Sequence, residues 1–420
     1  MSQPIEKKIY VFADWIKDQP AQLMGTLYAE RTRGKEIFSF EYATSWLQSA
    51  AASVLDPELQ LFTGRQYTDN TQKSNFGLFL DSSPDRWGRV LMQRRAYSLH
   101  TNIQLLESDY LLGVHDTTRM GAIRFKTDLN GDFLDNNANQ PTPPIAKIRE
   151  LEQASLAFEK GVQQDDPKLS RWLNLLVTPG SSLGGARPKA NVLNTDNSLW
   201  IAKFPSLNDN IDIGLWEYIS YKLALKAGIR MAKSAIRKFS GKHHTFLTQR
   251  FDRREDLSRI HFASAMTLLA HTDGDDYSTG VSYLDLVAFI SQQGASVNED
   301  LEELFRRIVF SICIKNTDDH LRNHGFLLTP KGWRLSPAYD INPNHYGTGL
   351  KLNISEDNNA LSLDLILAQA DYFRLKPTQA KALVHQIVGA VRSWNTYASN
   401  YKIPSLEQSY MAPAFELSET

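Results

Sequence analysis

Between Leu301 and Ile314 the apolar residues recur at helical spacing, and the run ends directly in the polar stretch Asn316-Thr-Asp-Asp-His-Leu-Arg-Asn323. A helix with such a face is buried along it, so the polar residues that follow emerge at the edge of a core. Gly325 to Leu328 then reads as an apolar strand, Lys331-Gly332 as a turn, and Trp333 to Asp340 as the returning arm of a hairpin. This succession brings Asp340 back towards Asp318 and Asn323. It demands a large helical core with a sheet edge beside it.

Asp318 precedes Asn323 by five residues. Protein kinases carry an Asp-x-x-x-x-Asn loop, then a hairpin and a further Asp, and use them to orient the substrate hydroxyl and to hold Mg2+. Taken singly, each of the three residues is equally at home in a turn or a cap, where Asp and Asn bond nearby backbone amides. Whether the upstream chain holds parts that handle phosphate decides between the two readings.

At 420 residues the chain exceeds one typical domain, and two or three compact units are expected. Its 42% hydrophobic content suffices for their cores. Lys and Arg total 46 against 47 Asp and Glu, a net charge of -1, which gives no global attraction to nucleic acid or to an anionic membrane. The lone cysteine, Cys313, falls inside the apolar helix, so neither a disulfide framework nor a cysteine metal cluster is available. A cytoplasmic, soluble protein is expected: there is no signal-type apolar region at the start and no run long enough to cross a bilayer.

Ile9 to Phe12, Leu23 to Tyr28 and Ile37 to Tyr42 are short β-prone runs, which makes residues 1–126 a small β-rich domain with one or two helices. Within it Ser83-Pro84-Asp85 reads as a helix start, continued by Val90 to Tyr97, and packing and capping account for its polar residues. Residues 127–144, with Asn-Gly, Asn-Asn and Pro-Thr-Pro-Pro, have linker composition. Helical stretches over Ile145 to Lys160 and Asp166 to Val177 lead to Pro179-Gly-Ser-Ser-Leu-Gly-Gly-Ala-Arg-Pro-Lys189. That segment is either a mobile connection or a Gly-rich loop whose amides wrap phosphates, and its spacing is not that of a Walker A loop.

A strand, Leu199-Trp-Ile-Ala-Lys-Phe204, follows the turn at Asn194 to Asn197. Lys203 either points to solvent from this strand or reaches nucleotide phosphates, as the strand lysine of kinases does after its Gly-rich loop. Leu215 to Ala227 reads as a helix closed by Gly228, and its Glu217 either faces solvent or pairs with Lys203. Strands over Lys233 to Phe239 and Thr245 to Phe251 precede Arg250-Phe-Asp-Arg253, where a hinge would offer backbone groups to adenine. Beyond it the chain turns helical: Ser264 to His271, Tyr283 to Gln292, Leu301 to Ile314, Leu361 to Ala370 and Pro377 to Tyr397. Strands first and helices afterwards is the two-lobed order of an α+β kinase.

Five ordered motifs, Ser182-Leu-Gly-Gly-Ala-Arg-Pro-Lys189, Trp200-Ile-Ala-Lys203, Gln249-Arg-Phe-Asp-Arg253, Thr317-Asp-Asp-His-Leu-Arg-Asn323 and Ser336-Pro-Ala-Tyr-Asp340, together resemble the HipA family of bacterial toxin kinases. Ser83-Pro-Asp-Arg-Trp-Gly88 and Arg119-Met-Gly-Ala-Ile-Arg-Phe125 resemble that family's amino-terminal domain, so the likeness covers nearly the whole chain. The resemblance implies an α+β, two-lobed protein-kinase-like (PI3/4-kinase-like) fold with an additional small β-rich domain: the N-lobe over residues 145–250 and a helical C-lobe over 251–420. It implies a Mg2+- and ATP-dependent serine/threonine protein kinase that acts as a growth-inhibiting toxin. Its target would be a translation component such as an aminoacyl-tRNA synthetase. A HipB-like helix-turn-helix antitoxin would restrain it, and DNA would be reached only through that partner.

Transferred residue by residue, the resemblance makes Asp318 the catalytic aspartate and Asn323 and Asp340 the Mg2+ ligands. Lys203 becomes the phosphate lysine, Gln249 to Phe251 the adenine hinge, and Ser182, Gly184, Gly185 and Lys189 parts of the phosphate-covering loop. Ser182 falls at the family's autophosphorylation position, with Ser181 its neighbour; phosphate there adds close to two negative charges, which repel ATP and favour an ejected loop. The chain departs from ordinary protein kinases in lacking His-Arg-Asp and Asp-Phe-Gly. His320 follows the catalytic position and is assigned a structural role, and Asp319 is the rival of Asp318 that lacks the spacing to Asn323. Two other functions fit parts of the pattern: a small-molecule phosphotransferase, and a non-catalytic nucleotide-binding corepressor in an antitoxin-DNA complex. The first predicts turnover stimulated by a metabolite without protein labelling; the second predicts nucleotide binding without transfer.

Overall fold

Ile9, Val11 and Ala13 lie on the buried face of a strand, and Leu27, Phe40 and Tyr42 continue that face across its neighbours, which is the two-residue period a half-buried sheet requires. In the computed structural model, which describes residues 6–32, 34–68, 73–98, 104–134, 142–160, 176, 187–239 and 241–418, these strands are β1 (Glu6–Ala13), β2 (Gln22–Thr32) and β3 (Lys35–Tyr42). With β4 (Gln66–Tyr67) and β5 (Ile123–Lys126) they form a five-stranded antiparallel sheet in the order β4-β3-β2-β1-β5. The register steps between Val11 and Phe12, leaving Met24 of β2 as the extra residue of a bulge. Gly25 in β2 admits no side chain: a Cβ there would stand 2.5 Å from the Phe40 ring and 2.3 Å from the Glu41 carbonyl oxygen.

The chain divides into two compact units, Met1–Asn208 with Gln249–Ala263, and Asp209–Thr248 with Ser264–Thr420. In the first, α1 (Arg86–Ser98) begins where the sequence places its start, and the Asp85 carboxylate accepts the Gly88 N–H at 2.7 Å as its cap. Arg119 is wholly buried and donates to the carbonyls of Ser82, Leu111 and Val114 at 2.8 to 3.0 Å, closing loop and helix ends that no backbone partner satisfies. Helix α2 (Ile148–Glu159) precedes the hairpin of β6 (Lys189–Leu193) and β7 (Leu199–Lys203), which turns at Asn194–Asn197 with Asn197 in the left-handed region. The expected helix over Asp166 to Val177 lies outside the described residues apart from Leu176, and so does the segment 179–186 of the Gly-rich stretch.

The second unit opens with α3 (Ile213–Lys226), capped by Asp212, and the hairpin of β8 (Ser234–Arg237) and β9 (Thr245–Gln249). Helix α4 (Tyr283–Gln293) starts on a capping box of Ser282 and Asp285. Its central element is α5 (Val297–Cys313), whose Leu301, Leu304, Phe305, Ile308, Val309 and Ile312 are fully buried along one stripe. The hairpin of β10 (Gly325–Thr329) and β11 (Gly332–Leu335) follows. The returning arm is shorter than the sequence predicts: it stops at Leu335, because Pro337 has no N–H for a ladder, and Ala338 instead donates to the Arg230 carbonyl at 2.7 Å. The expected helix over Pro377 to Tyr397 is two helices, α6 (Pro377–Val391) and α7 (Trp394–Asn400), and the break seats Trp394 flat against Phe415, with ring centroids 4.7 Å apart. A last helix, α8 (Ser405–Met411), leads to that Phe415. Among the described residues no helix is long and apolar enough to cross a membrane.

Candidate active site

Helix α5 ends in a Schellman turn without the glycine that usually makes one. The Asn316 N–H reaches the Ser311 carbonyl at 2.8 Å and the Lys315 N–H the Ile312 carbonyl at 3.2 Å, which puts Lys315 at the left-handed position with φ +48°. The Lys315 ammonium contacts the Glu416 carboxylate. From this stop the chain leaves the core, and Asp318 is exposed one residue before the buried Asp319.

Asn323, itself buried, donates its side-chain N–H to the Asp318 carbonyl at 2.9 Å. A carbonyl accepts only a donor, so this bond fixes which end of the amide is which and leaves Asn323 Oδ1 as an acceptor pointing away from it. The loop carrying Asp340 is stitched alongside: Tyr339 Oη donates to the Arg322 carbonyl at 2.7 Å, Asn344 Nδ2 to Thr317 Oγ1 at 2.7 Å, and the Asn342 N–H to Asn316 Oδ1 at 3.3 Å. Gly347 packs so closely on Thr317 that a Cβ would fall 2.3 Å from its methyl carbon. Asp340 itself sits in the left-handed region at φ +56°, with Oδ1 accepting from Asn342 Nδ2 at 3.2 Å. A left-handed Asp is tolerated at some cost, and such residues concentrate where geometry matters more than stability. Thus the sequence-predicted Asp318, Asn323 and Asp340 stand on adjacent, mutually bonded loops of the second unit.

The arm leading to Asp340 is fixed from below by α5. Asp300 accepts the Leu335 N–H at 3.0 Å and pairs with Arg230 at 2.7 Å, while Arg307, held by Glu303, donates to the Ser336 carbonyl at 2.6 Å. A cavity of about 140 Å³, lined by His320, Leu321 and Arg322 with Asp273, Asp275 and Lys351, opens beside the loop. It admits a side chain and is too small for a nucleotide.

The Asn323 amide oxygen and the Asp340 carboxylate are hard oxygen donors, few enough to leave room for water and phosphate oxygens, and that is the kind of donor Mg2+ takes. The residues therefore fit the ion. Among the described residues no group of three or more His, Cys, Asp or Glu could hold a metal without such help.

Sequence reasoning missed the environment of Asp319. Its carboxylate accepts Tyr283 Oη at 2.8 Å and Ser311 Oγ at 3.3 Å, and His324 Nε2 lies 3.1 Å from its other oxygen. Burial pushes the Asp319 carboxyl up, but His324 and the Tyr283 hydroxyl outweigh it and hold the group below the usual carboxylate range. The same contact, after burial, pushes the Tyr283 phenol well above its ordinary value. The only sequence signal was a doubled Asp; Tyr283 is too far along the chain to suggest itself.

The remaining predicted residues lie in the first unit, apart from Glu217, which is buried on α3 in the second and so does not face solvent. Lys203 ends β7, directly opposite Lys189 across the hairpin. Lys189 is buried, its ammonium 2.9 Å from Asp85, and its carbonyl accepts the Trp87 indole N–H at 3.1 Å. The Ser83-to-Gly88 motif therefore caps α1 and grips the start of β6 with the same carboxylate.

In Gln249-Arg-Phe-Asp-Arg253 the charged side chains turn inward. Arg250 reaches Asp252 at 2.5 and 2.9 Å, Asn191 at 2.9 Å and the Thr118 carbonyl at 2.6 Å, and Arg253 pairs with Asp252 at 2.7 Å. Burial alone would raise the Asp252 carboxyl; Arg250 and Arg253 hold it far below its ordinary value. Gln249 and Phe251 are half-buried on either side of Arg250, whose N–H bonds the Leu199 carbonyl at 2.9 Å. Ser181, Ser182, Gly184 and Gly185 lie outside the described residues.

A family model, the HipA-like C-terminal domain, matches residues 181–394. A putative kinase of Haemophilus influenzae is 26% identical over 185 residues, 39% of this chain and 52% of that protein. The serine/threonine-protein kinase toxin HipA of Shewanella oneidensis is 25% identical over 228 residues, 47% of this chain and 52% of that protein. The chain thus matches about half the length of these curated relatives. Among solved structures, a chain from the Shewanella oneidensis complex of HipA, HipB and operator DNA superposes with a TM-score of 0.67 at 19% identity, over 98% of this chain and 95% of that one. At that identity the likeness establishes the fold, a mixed α and β kinase-like fold, as the sequence predicts.

Proposed function

The chain belongs to the HipA family, and from that premise we propose that it is a Mg2+- and ATP-dependent serine/threonine protein kinase acting as a growth-inhibiting toxin. The observation that carries the reading is the locked Asn323 amide beside the exposed Asp318, with the Asp340 loop bonded to the same segment. Asp318 orients the acceptor hydroxyl and takes its proton; Asn323 Oδ1 and Asp340 are the Mg2+ ligands. Bound Mg2+ supplies charge neutralisation on the phosphate oxygens and a fixed geometry for transfer. Lys203 binds phosphate oxygens, and the backbone of Gln249 to Phe251 receives adenine. Lys189, engaged by Asp85, supports the exit of the Gly-rich loop from the strand side.

Ser182 in that loop, with Gly184 and Gly185, is the self-modification site, and Ser181 is its alternate. The protein substrate is a translation component of the aminoacyl-tRNA synthetase type, and the partner is a helix-turn-helix antitoxin like the HipB in the related complex. The test is transfer from radiolabelled ATP into proteins of a bacterial lysate, comparing wild type with Asp318→Asn. Labelled protein bands that vanish with the variant, while its melting temperature is unchanged, are the expected result. Labelling that persists with Asp318→Asn, or none with wild type, removes the kinase assignment. Phosphate on Ser182 of an Asp318→Ala protein would remove the self-modification.

A further inference from the structure

The doubled aspartate gives the loop two carboxylates with opposite surroundings. Asp318 is exposed; Asp319, the next residue, is buried and faces the first residue of α4 and the last turns of α5. Tyr283 is fixed independently, since its own N–H bonds the Asn353 carbonyl at 2.9 Å and Ser282 caps its helix. Ser311 lies within α5 and also receives Asn316 Nδ2 at 3.4 Å. His324, the third contact, immediately follows Asn323, and its carbonyl accepts the Ala265 N–H at 2.7 Å. One buried carboxylate therefore ties two helices to the residue after Asp318 and to the residue after Asn323. The Asn323 amide closes the same span from above, through the Asp318 carbonyl.

We propose that Asp319 is a positioning residue for phosphoryl transfer: through Tyr283, Ser311 and His324 it fixes the separation and facing of Asp318 and Asn323. It does not touch the reactants. Shells of this kind around ligating residues hold their orientation, and disturbing them typically lowers metal affinity by about 10-fold to 100-fold.

The inference rests on the kinase reading, and calorimetric titration of Mg2+ into the protein with the non-hydrolysable analogue AMP-PNP separates the two. Asp319→Asn is expected to weaken Mg2+ binding by about 10-fold or more. Tyr283→Phe, which removes one hydrogen bond, and Ser311→Ala, which removes the long bonds with Asp319 and Asn316, change little volume and should weaken it by roughly 3-fold, as about half of that effect on a logarithmic scale. All three should leave metal-free AMP-PNP binding within 2-fold of wild type, about the scatter such a comparison tolerates. A purely structural role would lower melting temperature without moving the Mg2+ dependence of the folded fraction. Should Asp319→Asn fail to fold, the two milder variants carry the test. Unchanged Mg2+ affinity in the folded variants, with normal wild-type binding, overturns the inference alone; wild type that binds no Mg2+ with AMP-PNP overturns the kinase reading and this inference with it.

Discussion

Two parts of this molecule concentrate polar side chains, and they treat them in opposite ways. In the first unit Arg250, Asp252 and Arg253, together with Asp116 and Arg259, are packed against one another with the half-buried Arg124 at their edge, each charge answered by another or by backbone carbonyls. In the second unit the segment 315–344 leaves Asp318 in solvent and bends the backbone into the left-handed region at Lys315 and Asp340. The first arrangement minimises the cost of burying charge by mutual cancellation. The second accepts backbone strain and exposed charge, a combination found at segments that meet a ligand. The contrast shows that a motif rich in Arg and Asp is not evidence of chemistry until the direction of its side chains is known.

The comparison is sharpest where the effects are largest. Asp318→Asn should lower phosphoryl transfer by roughly 10²-fold to 10³-fold or more, with no change in unfolding free energy, read by single-turnover labelling and urea denaturation. Asp252→Ala should do the reverse. It leaves Arg250 and Arg253 without their shared carboxylate and should cost about 3–5 kcal/mol in urea unfolding, while nucleotide affinity of the folded fraction stays at the wild-type value. A large loss of nucleotide affinity there, without loss of stability, would break the distinction.

A pH experiment probes the buried side further. Burial pushes the His261 imidazole, stacked on Trp15, down to about 3, whereas burial pushes the Asp56 carboxyl up to about 6. The sign differs for the two. Neutral His261 contributes stability that is complete above its unfolded value of about 6.5 and is lost as pH falls towards 3; Asp56 contributes below its unfolded value of about 4 and loses that as pH rises through 6. His261→Phe should therefore gain on wild type by about 1 kcal/mol per pH unit as pH drops from 6.5 to 4, measured by urea unfolding. A constant difference across that range would show that His261 is not held neutral. The smallest effect is expected at Lys315. Lys315→Gly relieves the left-handed strain but loses the Glu416 contact, so unfolding free energy should change by no more than about 1 kcal/mol.

The sequence made much of this legible. Helical spacing located α3, α4 and α5, and alternation located the strands around Lys203 and the hairpin after Asn323, because these signals are local. The candidate loop was readable from five-residue spacing. What escaped were pairings between residues far apart in the chain: Lys189 with Asp85, Asp319 with Tyr283, Arg119 with carbonyls from several turns. No periodicity carries such information. The end of α5 escaped for another reason, since Lys315 occupies a position where glycine is the usual signal.

The contact between Lys315 and Glu416 has a genetic consequence. Phe415 lies flat on Trp394 and near Trp216, and the next residue touches the stop of α5, three positions before Asp318. A missense allele at Phe415 or Glu416 would thus loosen the segment that carries Asp318 from a distant point in the chain.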